Sequence, residues 1–251
     1  MISRFSQLST KMLGVIFTCL LLLFTVINLP ASFLGSKLQA SGVDYMNQSG
    51  DFWNASFDNL IIAGHTWQKL DVKPRFSGVM VGDFAADFDL YSHDQRLTGN
   101  VKVKDDILEI NNISASAAIN VKGFSQPEHK SLIHMTSEKL IFNENGQCQS
   151  GDFNLKSNLL TVLLGDLGQN LPDLTGNGIC QNGLVQFTMQ ASDNGFDVNY
   201  RGEVSKNGQS GLLSFTLPPE MASNDQLMNM LQSSGFEKSG NQWRLNMEFS
   251  L

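Results

Sequence analysis

The chain has 251 residues, a formal net charge of −7 and only 16% charged residues. This charge, without a local cluster of Lys and Arg, argues against nucleic-acid binding and against electrostatic attachment to anionic lipid surfaces. The frequent Gly, Asn, Ser and Asp residues are typical of short strands joined by tight turns, which argues against a helical bundle.

An apolar stretch without charged residues occupies positions 12–29, after Arg4 and Lys11. About 18 residues at roughly 1.5 Å per residue come close to crossing a hydrocarbon core about 30 Å thick. A cleaved signal peptide has a shorter apolar run and small residues at its cleavage site, whereas this run lacks a clean small-x-small site before Gly35. We therefore predict a retained transmembrane anchor over residues 12–34, with cleavage of this segment as the alternative.

The charges around the predicted anchor also indicate its orientation. Two basic residues and no acidic residue precede the anchor, so the positive-inside rule keeps residues 1–11 in the cytoplasm. Residues 35–251 then form an exported β-rich domain, with a division into parts 42–143 and 144–251 as a further interpretation. The predicted fold is mainly β: a single transmembrane helix followed by an antiparallel, curved sheet or meander with one short C-terminal helix.

Residues in the first part alternate between apolar and polar with a period of two. Phe84, Ala86 and Phe88 fall on one face, and Asp87 and Asp89 fall on the other. Short polar breaks between such segments favour an antiparallel meander. We predict strands at Phe57–Ile62, Thr66–Val72, Val79–Tyr91, Gly99–Val103, Ile107–Val121 and Ser131–Phe142.

Two of the three cysteines lie in the exported region, because Cys19 is inside the apolar stretch. We predict a disulfide between Cys148 and Cys180, since the region is exported to an oxidising compartment; two buried thiols are the alternative. An Asn-Gly pair precedes each of these cysteines, at 145–146 and 177–178, which predicts two turns joined side by side. On the chain-entropy model, this cross-link stabilises the fold by about 3 to 4 kcal/mol.

The remainder of the second part again alternates like strands. One helix is predicted after Pro218-Pro219, with Asn224 as its N-cap. A closing hairpin turns at residues 239–241. The predicted strands are Leu184–Ala191, Phe196–Val204, Ser210–Leu217, Phe236–Lys238 and Trp243–Phe249.

The sequence offers little chemistry. It contains no G-x-S-x-G, H-E-x-x-H, Walker or dinucleotide-binding motif, so no catalytic residue, cofactor or metal site is predicted. We interpret the histidines as surface or edge residues, and the acidic row as the solvated outer face of a sheet. The acidic residues are Asp83, Asp87 and Asp89, and the histidines are His65, His93, His129 and His134.

Three short segments carry a family resemblance. Gly50-Asp51-Phe52-Trp53-Asn54-Ala55 looks like a Gly-x-hydrophobic-Trp-Gly-x element, with Asn54 where a glycine is usual. Residues 60–74, which include Trp67, look like the strand pair that follows that element. Residues 172–176, Pro-Asp-Leu-Thr-Gly, are followed by Cys180 and Gly183. They look like a Pro-x-Leu-x-Gly run that leads to a second cysteine. Over nearly its whole length the chain resembles the type II secretion system protein N family of Gram-negative bacteria, also called general secretion pathway protein N.

This resemblance implies a non-enzymatic accessory protein of the bacterial inner membrane, with its β domain in the periplasm. Its implied partners are other type II secretion subunits, either of the inner-membrane platform or the secretin. We expect an edge strand or the region of Trp53 and Trp67 to dock them, although a core position is the favoured alternative for each tryptophan.

Two alternative functions remain open. The strand pattern is also similar to that of AsmA-like proteins, which favours a periplasmic lipid-handling protein with an apolar groove. Such a groove requires that no second sheet covers the apolar face of strands such as Val79–Tyr91. A periplasmic hydrolase with dispersed catalytic residues is the remaining enzymatic alternative.

Overall fold

Successive strands of the chain pair with one another in a single curved antiparallel sheet. The computed structural model describes residues 17–18, 20–21, 24–62, 64–76, 84–105, 107–122, 128–164, 172–193, 195–205, 208–233 and 235–249. Fourteen strands lie within these ranges. They are β1 Asn47–Asp51, β2 Asn54–Ile62, β3 His65–Pro74, β4 Phe84–Tyr91, β5 Gln95–Lys104, β6 Ile107–Lys122, β7 Glu128–Phe142, β8 Cys148–Ser157, β9 Leu174–Gln181, β10 Leu184–Asp193, β11 Phe196–Ser205, β12 Gly208–Thr216, β13 Glu237–Ser239 and β14 Gln242–Phe249.

The sheet order confirms the predicted meander. Each strand from β1 to β12 pairs with its neighbours in the chain, and then β14 pairs with β12 while β13 lies outermost. Tight turns make this order possible. At the β9–β10 turn, Asn182 and Gly183 both have positive φ, at 52° and 81°, as two-residue hairpins require.

Besides the helical residues 24–27, the described chain contains four short helices: α1 Ser32–Ala40 before the first strand, and α2 Leu159–Leu164, α3 Pro219–Ala222 and α4 Asp225–Ser233 between later strands. The side-chain oxygen of Asn224 accepts a hydrogen bond from the N–H of Leu227 at 3.1 Å, which confirms the predicted N-cap. Besides the anchor over residues 12–34, the sequence predicted one C-terminal helix, so α2 and the part of α1 beyond residue 34 are additions to that prediction.

The two faces of the sheet differ in polarity at strands β3 to β5. On one face, Val72 pairs with Phe88, and Ala86 pairs with Val101. The opposite face carries the acidic row, where Asp89 forms an ion pair with Arg96 at 2.7 Å. The expected solvated outer face is therefore present, and Asp83 lies outside the described residues.

The Asn-Gly pair at 177–178 is not a turn, contrary to the sequence interpretation. Both residues lie inside β9, and the turn follows Cys180 instead, at Asn182 and Gly183. Gly178 suits a strand here because Phe153 and Phe187 crowd the space that a side chain would fill. Strands β1, β8 and β9 were not predicted, because their Gly and Asn residues are typical of turns.

Helices cover the apolar face near the two ends of the sheet. Near the first end, Leu34 of α1 belongs to the same buried cluster as Phe57 and Leu60. Near the last end, Leu227 and Leu231 of α4 pack with Trp243. Two further clusters lie between these ends. The hydrophobic core is therefore an elongated layer along one face of the sheet.

Residues 12–16, 19 and 22–23 of the predicted anchor, which spans residues 12–34, lie outside the described chain. In the part that is described, no helix is long and apolar enough to cross a membrane. Residues 24–27 are helical, and Ala31 and Leu34 are buried against the sheet.

Candidate apolar groove

Alternate residues of strands β3 to β6 form one wall of an apolar groove. Antiparallel pairing places Phe84 opposite Val103, and Val103 opposite Leu108, so their side chains share one face. The sheet residues that line the groove are Leu70, Val72, Phe84, Phe88, Val101, Val103, Leu108 and Ile110. The groove thus follows directly from the period-two pattern of four consecutive strands.

Helix α1 provides the other wall. Phe33, Leu34 and Leu38 face the strands across a space of about 680 Å³. This volume is within the roughly 300 to 1,000 Å³ typical of sites for small molecules. The described helices and strands place no second sheet over this face. The apolar face of these strands is therefore free of a second sheet in the described chain, as an apolar groove requires.

The polar residues of the groove come from the C-terminal half of α1 and its cap. Lys37 and Ser41 line the groove among otherwise apolar side chains. The hydroxyl of Ser41 donates to the carbonyl oxygen of Lys37 at 2.8 Å. Lys37 forms no ion pair with any residue that the structure describes. An exposed ammonium group therefore lies at one side of an apolar space.

The groove adjoins the apolar N-terminal segment through the turn between β1 and β2. Phe52 lines the groove, and its N–H donates to the carbonyl oxygen of Leu29 at 2.8 Å. The indole N–H of Trp53 donates to the carbonyl oxygen of Val26 at 3.1 Å. One carboxylate oxygen of Asp51 accepts the N–H of Trp53 at 2.9 Å, which holds the turn. The Gly-x-hydrophobic-Trp element thus connects the sheet to the N-terminal segment.

The two tryptophans singled out in the sequence lie at opposite ends of β2. Trp53 comes directly before this strand, and its ring meets Phe52 edge to face with centroids 5.0 Å apart. Trp67 pairs with Leu60 near the other end of β2. Both tryptophans are half-buried against the N-terminal core. The structure does not bring them together in one surface patch.

The predicted disulfide is present between Cys148 and Cys180, with Cα atoms 5.9 Å apart. It joins the neighbouring strands β8 and β9, and both cysteines are buried. The N–H of Gly183 donates to the carbonyl oxygen of Cys148 at 2.7 Å. The cross-link therefore fastens the start of β8 to the β9–β10 turn, and its residues are not part of the groove.

The titratable groups of the described chain form no metal-binding cluster. No three His, Cys, Asp or Glu side chains converge there as metal ligands. His65, His93 and His134 are exposed, and the side chain of His129 lies outside the described part. A hydrogen bond from Lys139 lowers the pKa of Glu109, and burial raises the pKa of Tyr200. Glu109 belongs to β6 and Tyr200 to β11.

Sequence reasoning found the apolar strand faces but did not find Lys37 or the wall formed by α1. The signal that could have shown this wall is the break at Pro30, which separates residues 32–40 from the preceding apolar stretch. Comparisons of the chain with protein families, with curated proteins and with solved structures find no match.

Proposed function

We propose that the protein is a non-enzymatic accessory component of the type II secretion machinery in the bacterial inner membrane. Its N-terminal segment anchors it with the N-terminus in the cytoplasm, and its sheet docks other secretion subunits from the periplasm. The observation that carries this proposal is the junction at Trp53. The tryptophan element on which the family resemblance depends bonds the sheet to the N-terminal apolar segment.

The disulfide supports the periplasmic location. Disulfides persist in the periplasm and are rare in the bacterial cytoplasm. Cys148 and Cys180 are paired and buried, and they fasten adjacent strands. An exported domain with a long polar outer face is suited to lie among the subunits of an envelope-spanning machine.

We place the docking surface at the last edge of the sheet. The short β13 pairs with residues 242–244 of β14, while residues 245–249 pair on that side with no described strand. An exposed edge can accept a strand from a partner through backbone hydrogen bonds. Of the two docking surfaces that the sequence left open, this segment is the edge strand. Trp53 then contacts the N-terminal segment and is not part of the docking surface.

A photo-crosslinking amino acid at Asn246 tests this edge in the native cells. Asn246 is exposed on β14, and Asn154, exposed on the mid-sheet strand β8, is the matched control position. We expect an adduct with a secretion subunit from position 246 and none from position 154. Adducts with unrelated proteins at both positions would contradict the proposed docking.

Mild extraction of the tagged full chain tests the machinery itself. We expect inner-membrane platform subunits or the secretin to co-purify with the protein. A preparation that contains neither, from cells that actively secrete, would overturn the proposal.

A second candidate function is periplasmic lipid handling. The observation that favours it is the apolar groove, which no second sheet covers in the described chain. The sheet is too short to bridge two membranes alone, since fourteen strands about 4.8 Å apart extend roughly 60 Å. Phospholipid analysis of the same extract tests this candidate: a stoichiometric amount supports it, and background levels exclude it.

A further inference from the structure

We infer that the apolar groove binds one acyl chain of a glycerophospholipid and that Lys37 binds its phosphate. This inference rests on the lipid-handling candidate above, and it names both the site and the class of ligand. Three independent features carry it: the dimensions of the groove, the position of Lys37 as the one cation among its described lining residues, and its connection to the N-terminal apolar segment.

The dimensions suit a single acyl chain. The lining strands β3 to β6 are four neighbours in the sheet, and their three spacings of about 4.8 Å cover roughly 14 Å. Half of a hydrocarbon core about 30 Å thick is about 15 Å, which is the depth that one acyl chain occupies. A chain laid across these strands contacts the sheet on one side and α1 on the other.

The polarity of the lining fits a molecule with an apolar body and one anionic end. Apart from Lys37 and Ser41, the described residues that line the groove have only apolar side chains, so burial of methylene groups dominates binding. The net charge of −7 opposes attachment to a densely anionic surface. One ammonium group beside an apolar groove instead fits a single phosphate at the end of a buried chain.

The groove also lies next to the N-terminal apolar segment. Phe52 lines the groove and donates its N–H to Leu29, the last residue of that segment before Pro30. If the segment is the membrane anchor, phospholipid is the amphiphile at highest local concentration. We therefore expect the ligand to be a glycerophospholipid and not a periplasmic peptide or a free fatty acid.

The test uses the full chain in phosphatidylcholine vesicles that contain a small fraction of photoactivatable phosphatidylglycerol with a diazirine on its acyl chain. Photoactivatable diacylglycerol with the same chains, which lacks the phosphate, is the matched probe. Labelled peptides are identified by mass spectrometry. We expect labelling by phosphatidylglycerol in segments 33–41 and 84–110, and weaker labelling there by diacylglycerol.

Two pairs of variants separate the contributions of charge and of space. Lys37→Glu should reduce phosphatidylglycerol labelling about fivefold, which corresponds to roughly 1 kcal/mol for a partly exposed charge pair. Lys73→Glu, on the opposite face of β3, makes the same charge change and should have no effect. Val103→Trp fills the rim of the groove and should abolish labelling by both probes. Ile179→Trp, at an exposed position of β9, is its control.

Correct folding of each variant is checked by its β-type circular dichroism and by formation of the Cys148–Cys180 disulfide. Labelling confined to residues 12–29, or equal labelling of the wild type and Lys37→Glu by phosphatidylglycerol, would overturn the inference. Labelling of the groove by photoactivatable palmitate but not by phosphatidylglycerol would also overturn it. Stoichiometric phospholipid in native extracts without groove labelling rejects this site alone, whereas extracts without phospholipid reject the lipid-handling candidate as well.

Discussion

Trp53 and Val26 are 27 residues apart in the chain, and the indole N–H of Trp53 donates to the carbonyl oxygen of Val26 at 3.1 Å. Val26 lies in a helical stretch that ends near Asn28. The last carbonyl groups of a helix have no backbone N–H of the same helix from which to accept a hydrogen bond. The tryptophan therefore satisfies a helix end and also packs on Phe52. This one side chain connects the N-terminal segment to the sheet.

Replacement of Trp53 should loosen this junction in two steps. Trp53→Phe keeps most of the ring packing but loses the hydrogen bond, so we expect a loss of about 1 kcal/mol. Trp53→Ala also loses the packing and should cost about 3 kcal/mol in total. Denaturant unfolding of the full chain in detergent measures both changes. Equal stability of Trp53→Phe and the wild type would show that the bond contributes nothing.

Loss of either disulfide cysteine should destabilise the sheet by about 3 to 4 kcal/mol, because the cross-link closes a loop with a sequence separation of 32 residues. Cys148→Ser, Cys180→Ser and the double variant should melt at the same temperature, since each lacks the same bond. Cys19→Ser leaves the pair intact and is the control. Unchanged melting of the single variants would contradict the predicted contribution.

A side chain at Gly178 should destabilise β9. A Cβ atom there would lie 2.2 Å from the ring of Phe153 and 2.8 Å from Cβ of Phe187, so the neighbours must move. We expect Gly178→Ala to cost about 1 to 3 kcal/mol. The matched control is Gly99→Ala in β5, where the nearest atoms are at 3.1 Å or more and the cost should be smaller. Thermal unfolding of the two variants, measured side by side, compares the two stability costs.

Acidification should remove the contribution of Glu109 to stability. The hydrogen bond from Lys139, and a second from Asn111, hold the pKa of Glu109 below its ordinary value. A carboxyl with a lowered pKa in the folded state stabilises the protein fully above its unfolded pKa. This stabilisation is lost as the pH falls through the folded pKa. Since the Lys139 ammonium lies 2.7 Å away on a partly exposed surface, the effect should not exceed about 1 kcal/mol.

Urea unfolding at pH 7 and pH 3 measures this effect. The wild type should lose more stability on acidification than Glu109→Gln, which has no carboxyl group to protonate. Glu138→Gln, at an exposed neighbouring position of β7, should behave like the wild type. If the wild type and Glu109→Gln lost the same free energy of unfolding on acidification, the proposed contribution of this ion pair to stability would be wrong.

Strand prediction succeeded where alternation is strong and failed where turn-forming residues lie in strands. The acidic and apolar faces of β4 were predicted because Asp87 and Asp89 alternate with Phe88 and Leu90. The strand β9 was missed because Asn177-Gly178 favours a turn locally. The rings of Phe153 and Phe187, which explain this glycine, come from neighbouring strands and are not evident from the local sequence.

The sequence by itself determined the mainly β class, the antiparallel order, the cysteine pair and the N-cap at Asn224. These properties depend on local alternation, short connections and a small set of cysteines, all of which are visible along the chain. Only the tertiary structure decided that Trp53 bonds to Val26, that α1 forms a wall with Lys37, and that the apolar face of β3 to β6 has no second sheet over it in the described chain. The physical reason is that an alternating strand must bury one face, but its own sequence does not specify whether a sheet, a helix or a ligand covers that face.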